Sequence, residues 1–391
     1  AARPFRTTPA YDIQKEMGAV FGQQFGLEVA NYFASGEEPR YETPSFRRSN
    51  AFEATRREVK AVREAVGINE VQNFGKFSVR GNRARPWLDR IMAGRIPAPG
   101  RISLTPMLSP KGRLIGDLTV SCIAVDEFQL TASYGYQAVH ERWLRDNLDD
   151  GISLENISDQ RTGFQIAGPR ARDVLSAVTR DDVSGERFKF MNVKRMTVGM
   201  CDCIVQRVSY TGDLGYEIYS DAMSQRALWQ TLWTEGQKYG MQPFGMRAMM
   251  SLRLDKFFGS WLSEFSPDYT PGETGMDRFI AFNKDADFIG RGAVEAERQM
   301  GASRGLVVFE VDALDADVVG YEPVWINDEV KGFCTSGGYS HHAEKSIALA
   351  LVDATCLVDD LQAEIEILGH MRPAKRITRM LFDSDAHRMR G

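Results

Sequence analysis

Hydrophobic and polar residues alternate along several short stretches of the chain, at the spacing of half-buried strands. This pattern predicts strands over residues 75–81, 104–108, 114–125, 128–132 and 162–167, and two more between 195 and 209. Elsewhere, apolar residues recur every three or four positions, which is the spacing of one helix face. That pattern predicts helices over residues 52–65, 84–92, 137–148, 168–178, 224–240 and 247–256.

The two ends of the chain differ from its middle. Residues 1–50 are irregular, with helical spacing from Ile13 to Phe25 that proline residues then interrupt. The last third contains short strands separated by turns, at residues 305–311, 329–335, 346–352 and 363–367. We therefore expect an N-terminal segment over residues 1–50, a central region over 51–285, and a β-rich domain over 286–391 that resembles a barrel.

Composition narrows the functional classes. A chain of 391 residues is expected to form two or three domains, and its net charge of -5 gives no basic surface for nucleic acid. No apolar run approaches the ~20 residues of a membrane span. The five cysteines lack the spacing of a zinc site, which favours free thiols and a cytoplasmic location. The first residue is Ala1 and not Met, so we expect a processed chain or a part of a larger one.

Several common cofactor motifs are absent from the sequence. It contains no Gly-x-Gly-x-x-Gly, no Walker pattern and no Gly-x-Ser-x-Gly, which argues against an intrinsic flavin, nicotinamide or nucleotide domain. His341 and His342 are adjacent, so on an extended backbone their side chains point apart. No third ligand follows at a usable spacing, and we therefore predict no metal site.

Residues 210–217, which read Tyr-Thr-Gly-Asp-Leu-Gly-Tyr-Glu, are typical of a β-hairpin turn bracketed by Gly212 and Gly215. Glu217 follows the second glycine within an apolar strand. Such a carboxylate either faces solvent or accepts hydrogen bonds from a flat N–H and NH₂ edge, such as that of a pterin or purine. Tyr210 belongs either to the core, which is the commoner place for such a residue, or to a binding pocket.

Two further sets of residues allow a structural and a functional interpretation. Asp117 opens the strand Leu118-Thr119-Val120, and is either a turn residue or a carboxylate held in a cleft. Arg247 and Arg253 lie on a largely apolar helix, where an arginine either extends to solvent or meets an anion. The residues alone do not separate these alternatives.

The ordered set of motifs resembles the aminomethyltransferase family, which comprises the glycine-cleavage T protein and its relatives. The resemblance is greatest to the tetrahydrofolate-binding C-terminal half of dimethylglycine and sarcosine dehydrogenases. It extends from about residue 4 to about residue 379. The stretches that carry it are 3–9, 18–22, 29–34, 57–67, 108–120, 167–171, 210–217, 251–256, 269–271, 288–291 and 335–340.

The resemblance implies an α+β fold of three domains in a cloverleaf around a central folate cavity. It implies that Asp117 is the catalytic carboxylate beside the folate nitrogens that carry the one-carbon unit. It also implies that Glu217 binds the pterin edge and that Tyr210 forms a wall of the pocket. Arg247 matches a folate-contacting arginine of the family, and Arg253 and Tyr339 are further candidates for cofactor binding. Residues 1–50 resemble the segment that joins the flavin and folate halves of the dehydrogenases.

We therefore predict a tetrahydrofolate-dependent methyl or methylene transferase, a demethylase in effect, that acts on a small methylated amine or onium compound. The first alternative is the folate-binding half of a split dimethylglycine or sarcosine oxidase, which captures formaldehyde-level carbon from a partner flavoprotein. The second alternative is an accessory protein that binds folate without catalysis. The Lys-x-Cys-x-x-Gly-Gln motif of such accessory relatives is absent here.

Overall fold

The computed structural model describes residues 3–391. It begins with the short helix α1 (Tyr11–Glu16) and a two-stranded antiparallel sheet of β1 (Ala19–Gln24) and β2 (Leu27–Phe33). The helical spacing predicted over residues 13–25 is therefore wrong beyond Glu16. Gly18 has a φ of +96°, and a Cβ there would lie 2.3 Å from the carbonyl oxygen of Ala34. The chain leaves the helix at this glycine, where a larger residue would be strained.

The first large sheet contains five strands and is covered by helices on one face. Its strands run in the order β5-β6-β7-β4-β8. In chain order, residues 52–156 form α2 (Phe52–Glu64), β3 (Val66–Glu70), β4 (Phe74–Arg80), α3 (Ala84–Ile91), β5 (Arg101–Leu108), β6 (Leu114–Ala124), β7 (Glu127–Ser133), α4 (Gln137–Asp146) and β8 (Ser153–Asn156). Of these strands, β3 belongs to the second large sheet. Phe77, Leu118 and Leu130 pack against Trp87 of α3 and Leu144 of α4.

The second large sheet contains six strands, in the order β10-β11-β12-β9-β3-β13. Its other elements are β9 (Arg161–Ala167), α5 (Ala171–Val178), β10 (Val193–Val198), β11 (Cys201–Gln206), β12 (Gly215–Asp221), α6 (Gln225–Gly236) and β13 (Met241–Pro243). The predicted hairpin is confirmed as the antiparallel pair β11–β12. Strand β3 was not predicted, because its five residues are too few to show a clear alternation.

The C-terminal part is a closed six-stranded barrel. The helices α7 (Met246–Leu254), α8 (Pro271–Thr274) and α9 (Arg291–Met300) precede it, and α10 (His387–Arg390) follows. The barrel strands are β14 (Arg304–Val311), β15 (Pro323–Ile326), β16 (Glu329–Ser340), β17 (Lys345–Asp353), β18 (Gln362–Ile367) and β19 (His370–Arg376). This mixture of helices, sheets and a terminal barrel confirms the α+β class.

The two large sheets face each other through their polar faces, while their apolar faces pack against helices. Ile204 of β11 and Val193 of β10 meet Ile102 of β5 in one hydrophobic cluster. Lys76 of β4 lies over the ring of Tyr219 of β12, with Nζ 5.6 Å from the ring centroid. We call the polar side chains between these sheets the polar layer; they are Asn69, Gln165, Gln206, Glu217 and Tyr219 on one sheet and Lys76, Asp117, Thr119, Gln129 and Thr131 on the other.

Candidate functional site

Asp117 projects from β6 into the polar layer. Leu118 and Val120 point into the apolar core, so the alternation of the strand sends Asp117 and Thr119 to the opposite face. The carboxylate is partly exposed, and within residues 3–391 no side chain forms an ion pair or hydrogen bond with it. Burial raises the pKa of Asp117 to about 7, and a hydrogen bond from its own backbone N–H opposes this effect only in part. This group can therefore hold or release a proton near neutral pH.

Glu217 lies deeper in the polar layer, on β12. Only 8% of the residue is exposed, and its Oε2 accepts a hydrogen bond of 2.7 Å from the hydroxyl of Tyr219. Burial raises the pKa of Glu217, whereas the Tyr219 hydrogen bond and the positive charge of Lys76 lower it. The carboxylate can therefore accept further hydrogen bonds from a group that enters between the sheets.

Lys76 faces Glu217 from the other sheet. Its Nζ donates one hydrogen bond of 3.0 Å, to the carbonyl oxygen of Phe74. Burial lowers the pKa of Lys76 to about 7, and the nearby charges of Glu217 and Glu70 oppose that effect. An ammonium group has three donors, so Lys76 retains capacity to bind a ligand acceptor.

Tyr210 lies in the connection between β11 and β12, near Asp117. Its hydroxyl donates to the carbonyl oxygen of Gly259 (2.9 Å), and its ring stacks on Phe258 with centroids 6.1 Å apart. Burial raises the pKa of Tyr210 to about 12, and the negative charges of Glu264 and Asp117 act in the same direction. The positive charge of Arg253 opposes this effect.

Arg253 is fully buried, and its contacts lie within the protein. The guanidinium donates to the carbonyl oxygen of Phe258 (2.8 Å), to Glu264 Oε2 (3.1 Å) and to Ser336 Oγ (2.8 Å). Glu264 also accepts from Thr335 and Ser336 of the barrel. Arg253 thus joins α7 to the barrel and holds Phe258, the residue on which Tyr210 stacks.

Arg247 and Tyr339 lie at the surface near the N-terminal segment. Arg247 pairs with Glu42 at 2.9 Å, and 53% of its side chain is exposed. The ring of Tyr339 is partly exposed and contacts Phe52 and His341, with the guanidinium of Arg48 4.2 Å from its centroid. These contacts hold Tyr339 beside the first residue of α2 and Arg247 beside the N-terminal segment.

The strand alternation thus puts Asp117 and Glu217 on the facing sides of one polar layer, and Tyr210 packs on Phe258 in the connection that leads to the strand of Glu217. Sequence reasoning missed the other eight side chains of the layer, among them Lys76, Gln165, Gln206 and Tyr219. Each occupies an alternate position of a strand whose other positions are apolar, which was a usable signal. The alternation did not show whether these polar residues are buried between two sheets or face solvent, because both cases give the same pattern.

The remaining polar candidates do not form a metal site. His341 packs on Phe52 with centroids 4.6 Å apart, whereas His342 packs on Phe382. Within residues 3–391, no three His, Cys, Asp or Glu side chains are arranged to hold a metal ion. In the same part of the chain, every helix is too short or too polar to cross a membrane.

Two family models match the chain over most of its length. Residues 10–284 match the family model described as the GCVT N-terminal domain. Residues 304–383 match the model described as the glycine cleavage T-protein C-terminal barrel domain.

Relatives of two kinds match the chain. Mitochondrial dimethylglycine dehydrogenase of Homo sapiens is 35% identical over 394 residues, which cover 100% of this chain and 45% of the relative. Aminomethyltransferase of a Geobacillus species is 30% identical, over 83% of this chain and 90% of the relative. The chain thus spans about half the length of the dehydrogenases it matches. These matches confirm the resemblance inferred from the sequence.

The fold also matches a solved structure. The crystal structure of the glycine cleavage system aminomethyltransferase T from Bartonella henselae aligns with a TM-score of 0.84, over 97% of this chain and 98% of that one. Identity is 20%, so this likeness concerns the fold. It confirms the expected aminomethyltransferase type of α+β architecture.

Proposed function

Because this chain belongs to the glycine cleavage T-protein family, we propose that it transfers a methyl or methylene group from a methylated amine or onium compound to tetrahydrofolate. One observation carries the proposal. An unpaired carboxylate, Asp117, and a buried hydrogen-bonded one, Glu217, lie in the same polar layer between two sheets. One is free to move a proton, and the other is fixed for binding.

The residues present suit a folate. A pterin edge offers N–H and NH₂ donors, which match the free acceptor capacity of the Glu217 carboxylate. Gln165 and Gln206 beside Glu217 have buried amide atoms without hydrogen-bond partners among residues 3–391, so polar groups are available to a ligand. Bound there, tetrahydrofolate would supply the nitrogen that receives the one-carbon unit.

The chain's own contribution is positioning and proton transfer. Tyr210 and Phe258 would form an apolar wall that excludes water, and Glu217 would fix the ring. Holding donor and acceptor together replaces an encounter in solution, which is worth up to ~7–11 kcal/mol of barrier in favourable systems. Asp117, ionised above about pH 7, would accept a proton at the reacting nitrogen and stabilise positive charge there.

The roles of the other candidates remain proposals. Arg247 and Tyr339 would contact the outer, anionic end of the folate. Arg253, proposed from the family as a cofactor-binding residue, would act through Phe258, which it holds. The division of the chain at residues 50 and 285 and a cytoplasmic location are also proposals, the latter supported by five free cysteines.

A second version of the function is favoured by the length of the relatives. In it, the chain is the folate-binding half of a dimethylglycine or sarcosine oxidase and captures formaldehyde-level carbon from a flavoprotein. The support is that dimethylglycine dehydrogenase matches over the whole chain, while this chain covers 45% of that relative. The partner would then supply the oxidation.

One experiment tests both versions. The protein is incubated anaerobically with tetrahydrofolate and a panel of methylated amines and sulfonium compounds, and the folate products are identified by mass spectrometry. Methyl-tetrahydrofolate that forms from a donor alone supports the free-standing transferase. Product that forms only after a flavin-dependent amine dehydrogenase and an electron acceptor other than oxygen are added supports the split oxidase. No folate binding and no product under either condition would refute the proposal.

A further inference from the structure

Three polar side chains lie side by side across the centre of the six-stranded sheet. In the register of the sheet, Gln206 of β11 is opposite Glu217 of β12, which is opposite Gln165 of β9. Residues opposite one another in a sheet point to the same face, and adjacent strands are about 4.8 Å apart. The three side chains therefore form a row roughly 10 Å long, which is about the width of a two-ring heterocycle.

The two glutamines of this row are buried without partners. Gln206 is 0% exposed and Gln165 is 1% exposed. Within residues 3–391, neither the amide nitrogen nor the amide oxygen of either side chain forms a hydrogen bond. Leaving four buried polar atoms unpaired costs free energy, and proteins rarely do so without a reason.

Outside the polar layer, each buried glutamine of the described residues keeps its amide nitrogen paired. Asn69 continues the row on β3 and donates to the carbonyl oxygen of Phe244 at 2.7 Å. Gln14 and Gln225 both donate to Glu70, on the opposite face of the sheet. Gln129 and Thr131 lie across the polar layer and are also unpaired. The unpaired side chains of both sheets thus face one another across the same space.

We propose that Gln165 and Gln206 are specificity-determining residues that bind the polar edge of the pterin together with Glu217. A carboxylate only accepts hydrogen bonds, but the pterin edge also presents a carbonyl oxygen that needs a donor. A glutamine amide supplies a donor and an acceptor. The row therefore matches the alternating pattern of a lactam edge, which Glu217 by itself does not. This inference rests on the proposed folate function and adds the residues that select the ring.

The test compares Gln165→Leu and Gln206→Leu with the wild-type protein. The dissociation constant of tetrahydrofolate is measured anaerobically by calorimetry, and the melting temperature is measured without ligand. We expect each variant to bind about 10-fold more weakly or worse, because the ligand loses a hydrogen bond in a buried site. The melting temperature should stay the same or rise, because an unpaired buried amide has been removed.

A matched control is Gln225→Leu. This glutamine is also fully buried, but its amide nitrogen donates to Glu70 on the other face of the sheet, and only its Oε1 lacks a partner among residues 3–391. Its replacement should lower the melting temperature and leave the dissociation constant of tetrahydrofolate within about 3-fold of the wild-type value, since it contacts no part of the row. The opposite signatures separate loss of recognition from loss of folding.

A second probe keeps the inference testable if a leucine variant does not fold. The 4-amino analogue of tetrahydrofolate replaces the ring carbonyl by an amino group. The wild-type protein should prefer tetrahydrofolate to this analogue, and Gln165→Glu or Gln206→Glu should reduce that preference, because glutamate lacks the amide donor.

The outcomes distinguish failure of the proposed folate function from failure of the roles proposed for Gln165 and Gln206. If the wild-type protein does not bind tetrahydrofolate, the proposed function fails. The inference is wrong if the wild-type protein binds tetrahydrofolate and the variants of Gln165 and Gln206 bind it with unchanged affinity. These variants would also have to keep the wild-type preference for tetrahydrofolate over its 4-amino analogue. In that case the glutamines hold ordered water only.

Discussion

At the scale of single residues, Asp117 and Glu217 show how two carboxylates on facing sheets acquire different properties. Glu217 receives a hydrogen bond from Tyr219 and the positive potential of Lys76. Asp117 receives neither, and burial raises its pKa to about 7. Pairs of titratable groups in unlike environments are typical of sites that separate binding from proton transfer. We therefore expect different losses when each is replaced.

The pH dependence of transfer should report Asp117. The carboxylate form accepts the proton, so the single-turnover rate should rise as the pH increases through about 7. Asp117→Asn should reduce the rate by roughly 10²–10⁴-fold, a typical effect of a lost general base, and should remove this titration. Rapid quenching with mass spectrometry of the folate product measures both. A variant that transfers at the wild-type rate with folate bound would show that Asp117 has no such role.

Replacement of Glu217 should affect binding more than turnover. Glu217→Gln keeps the shape but replaces one acceptor oxygen by a donor, so the pterin should bind about 10-fold more weakly or worse. Turnover at saturating tetrahydrofolate should change less, because Asp117 is untouched. Calorimetry and steady-state kinetics separate the two effects. If Glu217→Gln kept its affinity for tetrahydrofolate and lost turnover, Glu217 would be the residue that serves the chemical step.

At the scale of elements, the walls of the site depend on contacts between parts that are distant in sequence. Arg253 of α7 reaches Ser336 of β16, and Glu264 accepts from Thr335 in the same strand. The guanidinium also fixes the carbonyl group of Phe258. The barrel therefore supports Phe258, the residue on which Tyr210 stacks. A substitution of Arg253 should therefore affect the stability of the fold before it affects folate binding.

Arg253→Met should lower the free energy of unfolding by about 3–5 kcal/mol, because Glu264 would be left buried without its partner. Lys345→Met is the control, since it breaks a half-exposed ion pair with Glu310 and should cost less than about 1 kcal/mol. Urea unfolding at neutral pH measures both values. If Arg253→Met kept full stability and weakened only folate binding, Arg253 would contact the cofactor directly.

At the scale of the whole molecule, the N-terminal segment packs onto the remainder of the chain. Glu58 of α2 accepts hydrogen bonds from the backbone N–H groups of Phe33 (2.6 Å) and Gly245 (2.8 Å). It thereby joins β2 to the start of α7. Arg48 pairs with Asp317, next to the barrel. Residues 1–50 were expected to form a separate segment, and these contacts show how that segment is attached.

Stability should depend on pH through Glu58. Burial raises the pKa of Glu58 to about 8, whereas a glutamate in an unfolded chain titrates near ~4.3. The folded protein therefore holds a proton that the unfolded chain releases. This contribution to stability is complete below about pH 4.3 and is lost as the pH rises through 8.

In Glu58→Gln the free energy of unfolding should therefore fall less steeply between pH 5 and pH 8 than in the wild-type protein. Glu64→Gln is the matched control, because Glu64 is exposed on the same helix and should keep the wild-type slope. Urea unfolding at several pH values measures each slope. Parallel curves for all three proteins would show that Glu58 is ionised in the folded state.

Much of the fold could be predicted because its signals are local. The strands β4, β6, β7 and β9 alternate between apolar and polar residues, and the pairing β11–β12 follows from two glycines around a turn. The N-terminal helix prediction failed because the apolar spacing of residues 13–25 also fits a hairpin. Strand β3 was missed because its pairing with β9 and β13 defines it better than its own five residues do.

The sequence by itself determined the family, the order of the main elements and the candidates Asp117, Tyr210 and Glu217. These features could be recognised because each depends on a short pattern of residues and on the order of such patterns along the chain. Only the tertiary structure decided which polar residues act together. Lys76 lies on one sheet and Glu217 on another, and packing of the two sheets brings them face to face. Alternation along a strand shows that a residue leaves the core, but only the facing sheet determines whether it meets water or a ligand.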